Sequence, residues 1–272
     1  MTEYADWIGR QTQRVETITE RQVAQFRATL AGTLAPGDVL PGLHWGLMPD
    51  LAEPQDLGRD GHPRTGLFLP TLPLQRRMWA GGELAFGPPL QTGDRVIRDS
   101  RIADITFKTG STGRLGFVTL RNHWSVDGQT RITERQDIVY RDDAKPGSAT
   151  APVPADDWPG AQVWHILPDP VLLFRYSALT FNGHRIHYDQ PYATGVEGYD
   201  GLVVHGPLQA IWMLNLATTL FGQLPANFRY RALSPLTCGI PVRIEARPST
   251  EGLLLRVRRE DDVVTMQATA LG

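Results

Sequence analysis

The chain has 272 residues, of which 41% are hydrophobic and 21% are charged, and its formal net charge is −2. This length suits one large domain or two of ordinary size, and the composition is typical of a soluble protein. The small net charge, without a long run of one sign, argues against a nucleic-acid binder or a protein drawn to anionic membranes.

The chain also lacks the marks of an exported or membrane-embedded protein. Cys238 is the single cysteine, so no intrachain disulfide can form. The first residues, MTEYADWIGRQTQRVE, have no apolar core of the kind that a signal peptide needs. No run of about 18 uncharged apolar residues occurs, so no membrane-spanning helix is predicted. These features predict a cytoplasmic location.

Two helices are predicted in the first half. In TERQVAQFRATLAG, Thr19 and Gln22 have the spacing of a capping box, an apolar stripe follows, and Gly32 is a natural stop. The segment PLQRRMWAGGELAF (73–86) is typical of a short helix, because Pro suits a first turn and the Gly-Gly pair would end it.

Strand-like segments come next. They begin at residue 93, and a hairpin is predicted with its turn at Asp127-Gly128. Residues 142–160 are rich in Pro, Ala, Asp and Gly and have no apolar period, so they are the predicted linker. The linker predicts an N-terminal unit over 1–148 and a C-terminal unit over 149–272.

The second half repeats this order of elements. VLLFRYSALT (171–180) is apolar and strand-like. Residues 201–222 predict a long helix that is apolar nearly all round and therefore buried. Four strands follow, over 228–238, 240–248, 252–260 and 263–270. A helix followed by consecutive strands in each half predicts an α+β fold with an antiparallel sheet.

Between the 171–180 segment and the long helix lies TFNGHRIHYDQPYA (180–193), which is unusually rich in hydrogen-bonding and titratable groups. They could bind a metal, transfer protons or form a well-bonded corner of the fold. His184 and His187 are three residues apart, as in some metal sites, but no cysteine and no upstream carboxylate stands at ligand spacing. No metal site is predicted.

This loop, together with GYDGLVVHGPLQA, resembles the motif of the MaoC-like hotdog hydratases, the (R)-specific enoyl-CoA hydratase group. Their motif has an acid, then Asn-Pro-hydrophobic-His, with the His five residues after the acid, and a later His-Gly pair that opens a helix. His187 matches the motif histidine, Asn182 matches the acid, and His205-Gly206 match the later pair. PLQRRMWAGGELAF and KTGSTGRLGFVTLRN are similar to a two-hotdog subgroup that acts on itaconyl-, mesaconyl- or methylfumaryl-CoA.

The resemblance implies a double hotdog, in which each half is an antiparallel sheet wrapped around a central helix, near 73–81 and 203–221. The C-terminal half would carry the motif, and the N-terminal half would shape the pocket for the acyl chain and CoA. The implied activity is hydration of an enoyl-CoA. The implied partner is the acyl-CoA substrate, no bound cofactor is implied, and a homodimer is left open.

One departure from the family bears on the mechanism. The wider family has Asp where this chain has Asn182, and an amide cannot accept a proton at neutral pH. His187 is therefore the predicted proton-transfer group, because an imidazole titrates near neutrality. Asn182 would hold the water with its carbonyl oxygen or orient the imidazole, and the Gly206 N–H would bind the thioester oxygen.

Several neighbouring residues keep two interpretations. His184 either lines the site or braces the loop, Asp189 is either a partner of a histidine or a turn residue, and Gly206 could serve helix–sheet packing alone. His205 is a further candidate for lining the site. If the acyl group carries a carboxylate, an arginine should bind it, and the candidates are Arg76, Arg77 and Arg185. The alternatives to a hydratase are an acyl-CoA thioesterase on the same fold and a non-catalytic acyl-CoA-binding protein.

Overall fold

An antiparallel sheet of ten strands dominates the part of the chain that the computed structural model describes, residues 4–110, 113–142 and 155–272. Four α-helices accompany the sheet in these residues. The strands are β1 (Gln11–Thr17), β2 (Arg76–Phe86), β3 (Arg95–Gly110), β4 (Gly113–Val126), β5 (Gln129–Arg141), β6 (Gln162–Ile166), β7 (Asn227–Ala232), β8 (Val242–Pro248), β9 (Leu253–Arg259) and β10 (Val264–Leu271). The helices are α1 (Glu20–Thr29), α2 (Pro170–Thr180), α3 (Gln190–Gly195) and α4 (Gly206–Phe221).

The strands follow the order β1-β3-β4-β5-β2-β7-β10-β9-β8-β6, and every neighbouring pair is antiparallel. β1–β5 form the N-terminal half of the sheet and β6–β10 form the C-terminal half. The two halves join where β2 pairs with β7, from Gly81 opposite Arg231 to Ala85 opposite Asn227. The predicted α+β architecture with an antiparallel sheet is confirmed.

Three predicted elements occur where the sequence placed them. α1 begins with the expected capping box, in which the Thr19 side chain accepts from the Gln22 N–H. Asp127 and Gly128 connect β4 and β5 with φ values of 50° and 76°, the left-handed conformation that this type of tight hairpin turn requires. α4 is the predicted long helix, and its residues 208–218 are all buried.

The helix predicted over 73–86, including a central helix near 73–81, is wrong, because this segment forms strand β2. β2 lies between β5 and β7, and the glycines serve this close approach of strands. A Cβ on Gly82 would lie 2.3 Å from the carbonyl oxygen of Arg135, and one on Gly81 would lie 2.7 Å from that of Tyr230. The Gly-Gly pair thus leaves room for neighbouring backbone and does not end a helix.

The strand predicted over 171–180 is also wrong, because the segment forms helix α2. The Asp169 side chain accepts from the Leu172 N–H as an N-cap, and Pro170 occupies the first turn. Leu173 and Tyr176, three residues apart, are buried, while Phe174 is exposed. The apolar run is therefore one face of a helix that begins at an Asp-Pro cap.

The predicted linker is described only at its two ends, residue 142 and residues 155–160. Residues 143–154 lie outside the described residues, so the boundary between 148 and 149 stays a prediction. One large hydrophobic core joins the described parts of both halves and includes Phe26 of α1, Trp124 of β4 and Trp212 of α4. Within the described residues, no helix is both long and apolar enough to cross a membrane.

Candidate active site

A cavity of about 820 Å³ lies where the N-terminus of α4 meets the junction of β2 and β7. Five residues of the predicted site line it: Asn182, His184, His187 and Gly206 from the C-terminal half and Arg77 from the N-terminal half. The N-terminal half also contributes His62 and Trp79 to the wall. The cavity is therefore shared between the two halves of the sheet.

The polar loop is fixed at its start by the end of α2. Phe181 adopts the left-handed conformation with φ 50°, and the Asn182 N–H donates to the Ser177 carbonyl at 2.8 Å. The Asn182 Oδ1 then accepts from the His184 N–H at 2.9 Å. This bond fixes the orientation of the amide, with its oxygen on the loop backbone and its NH₂ as the available donor.

His187 lines the cavity in a defined tautomer. Its Nδ1 lies 2.6 Å from the carbonyl oxygen of Val203, which can only accept, so the proton is on Nδ1. Nε2 is then an acceptor that a ligand in the cavity can reach. Burial, followed by the neighbouring His205 and His184, lowers the pKa of His187 well below 6.5. The imidazole is therefore neutral at pH 7 and can accept a proton.

His205 stacks on the imidazole ring of His187. The two imidazoles stack with centroids 3.5 Å apart and planes 18° apart. The His205 Nε2 is 2.8 Å from the Ser177 Oγ, and burial lowers the pKa of His205 to about 3. His205 is fully buried and is not part of the cavity wall, so it packs against His187 and does not line the site.

Two observations bear on the two interpretations of Gly206. A Cβ on it would lie 2.7 Å from the ring of Trp79, so helix–sheet packing alone requires a glycine here. Gly206 also lines the cavity as the first residue of α4, where backbone N–H groups have no partner within the helix. A developing negative charge is favoured at this position by the free N–H groups and the helix dipole.

The other predicted polar residues form two ion-pair systems. The Glu197 carboxylate binds the Nε of Arg76 at 3.0 Å and lies 3.5 Å from the Nε2 of His184, and all three side chains are buried. Asp189 accepts from the Tyr192 N–H as the N-cap of α3 and pairs with Arg185 at 2.7 Å. Asp189 thus has the turn role. Neither Arg76 nor Arg185 lines the cavity.

Sequence reasoning missed a second polar group in the cavity wall. The Asp60 Oδ2 lies 3.1 Å from the His62 Nδ1 and accepts from the Arg77 Nε at 3.1 Å. The ring of His62 lies 4.2 Å from that of His184. The stretch RDGHPRTG (59–66) held this pair, but no spacing within it marks a site. Arg141 at the end of β5 was also missed, and it lines the cavity without an ion pair to any described carboxylate.

Asp60, His62 and His184 also form the donor set that a divalent metal could use, with ligand atoms within 4.8 Å of one another. Asp60 is, however, already bound to a permanent cation, since Arg77 donates to both of its oxygens, at 3.1 and 3.4 Å. This charge pairing disfavours a second cation at the same carboxylate. The absence of a metal site stays a prediction.

Comparison with known proteins identifies relatives of the whole chain. The family model of hydroxyacyl-thioester dehydratase type 2 matches residues 42–238. The chain is 40% identical over 267 residues to mesaconyl-C(4)-CoA hydratase of Chloroflexus aurantiacus. The alignment covers 97% of this chain and 95% of that protein.

Solved structures agree on the fold. HtdX of Mycobacterium tuberculosis has a TM-score of 0.69 at 18% identity and covers 96% of this chain and 98% of its own. A second protein of that organism, described as a double hotdog, has a TM-score of 0.54 at 18% identity and covers 97% and 96%. The predicted double hotdog is confirmed, with the exception of its first central helix.

Proposed function

Because this chain belongs to the hydroxyacyl-thioester dehydratase type 2 family, whose model matches residues 42–238, we propose that it is an acyl-CoA hydratase. It adds water across the double bond of an enoyl-CoA thioester. The observation that carries the proposal is the meeting of Asn182, His187 and Gly206 in one cavity. We propose that no bound cofactor takes part, since the CoA is part of the substrate.

His187 is the proton-transfer group. Its Nε2 takes a proton from water as the water oxygen bonds to the β-carbon, and the π electrons move through the α-carbon to the thioester oxygen. The imidazolium then gives that proton to the α-carbon, which leaves His187 neutral again. The Val203 carbonyl keeps the ring oriented throughout, because Nδ1 retains its hydrogen bond.

Two further groups complete the reaction. The Gly206 N–H binds the thioester oxygen as negative charge develops on it, and one such donor contributes roughly 3–4 kcal/mol to transition-state stabilisation. Asn182 donates from its NH₂ to a lone pair of the water, since its oxygen is bonded to the His184 N–H. This assignment replaces the carbonyl contact that the sequence suggested for Asn182.

The acyl group is a branched C5 dicarboxylate such as that of mesaconyl-C4-CoA. This class is supported by the 40% identity to a protein of that name. With the thioester on C4, the free carboxylate is attached to the carbon that receives water. A cation should then stand near the reacting carbon, and the arginines that line the cavity are Arg14, Arg64, Arg77 and Arg141. Arg141 is the best candidate, because the other three are already paired with Asp50, Asp56 and Asp60 respectively.

One assay separates hydration from its alternatives. The protein is incubated with mesaconyl-C4-CoA and with crotonyl-CoA, and both the enoyl absorbance and free thiol are followed. A hydratase removes the absorbance without releasing thiol, a thioesterase releases thiol, and a binding protein does neither.

We infer further that the protein is cytoplasmic and assembles as a homodimer, which cell fractionation and light scattering would test.

The substrate class has a separate test in Arg141→Leu. If Arg141 binds the free carboxylate, kcat/KM should fall about 10-fold or more for mesaconyl-C4-CoA and change little for crotonyl-CoA. Arg185→Leu is the matched control, because Arg185 lies outside the cavity wall. Equal losses on both substrates would assign Arg141 to the CoA portion instead.

A further inference from the structure

The loop that carries Asp60 and His62 is attached to the motif loop. The Asp60 carbonyl accepts from the Arg185 N–H at 2.8 Å. Gly61 has φ +85°, and a Cβ on it would lie 2.0 Å from the carbonyl oxygen of Gly183, so only glycine fits between the two loops. The backbone therefore holds Gly61, which precedes His62, against Gly183, which follows Asn182.

The ring of His62 is fixed in one tautomer. Burial alone would raise the pKa of Asp60, but the hydrogen bond from His62 and the Arg77 guanidinium outweigh it and hold that pKa well below its usual range. Asp60 is thus a carboxylate that accepts from the His62 Nδ1–H at 3.1 Å, and it also accepts from the His62 backbone N–H at 3.1 Å. His62 lines the cavity, so Nε2 is the nitrogen that a molecule there can meet.

An attacking water needs two acceptors. Its lone pair must face the β-carbon, so both hydrogens have to be held by other groups, and His187 takes one of them. The position of the family acid, which would be a natural second acceptor, is occupied by Asn182, whose oxygen is bonded to the His184 N–H. At the position of the family acid, the second hydrogen therefore has no carboxylate to bind.

We propose that His62 is a second catalytic residue, whose Nε2 accepts the hydrogen of the attacking water that His187 does not remove. Asp60 is its positioning residue, and Arg77 in turn holds Asp60. The N-terminal half thereby supplies the acceptor that the Asp-to-Asn change removes from the motif. This inference rests on the proposed hydratase activity.

The charge state of His62 agrees with an acceptor role. Burial lowers its pKa to about 4, against the opposing effect of Asp60. The ring is neutral at pH 7, and its Nε2 lone pair is available. The side chain is also 28% exposed, so it can be replaced without opening a hole in the hydrophobic core.

The experiment compares His62→Leu with His62→Gln, because the amide oxygen of Gln can accept a hydrogen bond and Leu cannot. On mesaconyl-C4-CoA, we expect Leu to lower kcat about 10- to 100-fold with little change in KM, and Gln to retain severalfold more activity than Leu. His165→Leu is the matched control, since His165 is exposed on strand β6. Imidazole added to His62→Ala should restore part of the lost rate.

Three results would overturn the proposal: kcat within twofold of wild type for His62→Leu, equal losses for Leu and Gln, or a loss confined to KM. The last would make His62 a substrate-binding residue. Circular dichroism and Tm are measured for each variant to check that it is folded. If His62→Leu does not fold, the activity of His62→Gln and the imidazole rescue of His62→Ala test the role. A wild-type protein that hydrates neither enoyl-CoA would instead refute the proposed function itself.

Discussion

The two halves of the sheet share an order of elements but make different contributions to the cavity. α4 of the C-terminal half starts at Gly206 in the cavity wall, whereas no residue of α1 in the N-terminal half lines it. Backbone N–H groups for a developing charge can thus come from the start of α4. The N-terminal half contributes side chains, among them His62, Arg77 and Trp79. A duplicated architecture has become one site with unequal parts.

The buried polar groups of the two halves differ in how completely they are hydrogen-bonded. In the N-terminal half, the buried Glu134 accepts from the Trp45 Nε1 at 2.8 Å and from the Asn122 Nδ2 at 2.7 Å, away from the cavity. In the C-terminal half, His187 has one nitrogen bonded and the other available to a ligand. A fully bonded group stabilises the fold, and one with a free acceptor can do chemistry.

The largest effect is expected for His187→Ala. Removing a positioned acid/base group should lower kcat about 10²- to 10⁴-fold in the hydration assay. His44→Phe in the N-terminal half is the matched buried-histidine control and should leave kcat within about twofold, since His44 packs among aromatic rings away from the cavity. Hydration by His187→Ala at the wild-type rate would refute the assignment.

A smaller loss is expected at Asn182. Asn182→Ala should lower kcat about 10- to 100-fold, because it removes the contact to water and leaves the His184 N–H without its partner. Asn182→Asp should retain more activity than Ala, since a carboxylate keeps that acceptor and is the residue of the wider family. Ranking the two variants by kcat/KM checks this, and a less active Asp variant would contradict it.

Local signals in the sequence predicted the elements that depend on local chemistry. The capping box at Thr19, the Asp127-Gly128 turn and the apolar length of α4 each act within a few residues. The two wrong elements had misleading local signals. The Gly-Gly pair of β2 is explained by backbone from β5 and β7, which a helix-stop interpretation ignores. In α2 the apolar run predicts a strand, but the Asp169-Pro170 cap just before it begins a helix.

The site residues also divide into those that local sequence spacing predicts and those that only tertiary packing brings together. The spacing from Asn182 to His187 was readable because one loop carries both residues. Asp60 and His62 were not, since they lie about 120 residues earlier in the chain and reach the motif only through the packing of loop on loop. Arg76 and Arg77 show a further limit: they are neighbours in β2, yet one binds Glu197 in the core and the other lines the cavity.

A moderate effect on stability is expected from the buried histidines. Burial, followed by the charge of Arg98, lowers the pKa of His44 to about 3. Between pH 6.5 and 3 the unfolded chain binds a proton at His44 that the folded protein does not. The free energy of unfolding should therefore fall on acidification across this window, by about 1.4 kcal/mol per pH unit for each such group.

Urea unfolding at pH 7, 6 and 5 measures this dependence. His44→Phe should reduce the slope by the share of one group. An unchanged slope in His44→Phe would mean that His44 is not held neutral in the N-terminal half.

The smallest effect, none at all, is expected from removal of metal ions. Asp60, His62 and His184 have the donors of a metal site, but Arg77 already neutralises Asp60, and in the proposed reaction the His62 Nε2 is needed for water. Dialysis against EDTA should leave kcat within about twofold, and later addition of Zn²⁺ should not raise it, because a cation here would compete with Arg77 for one carboxylate. Loss of activity with EDTA and its recovery with Zn²⁺ would contradict this. It would mean that a metal ion bound in the N-terminal half, and not the His62 imidazole, contacts the water. Arg77→Leu sharpens the test: without its guanidinium, Asp60 is free to bind a cation, so binding of Zn²⁺ by calorimetry should be stronger in the variant than in the wild type.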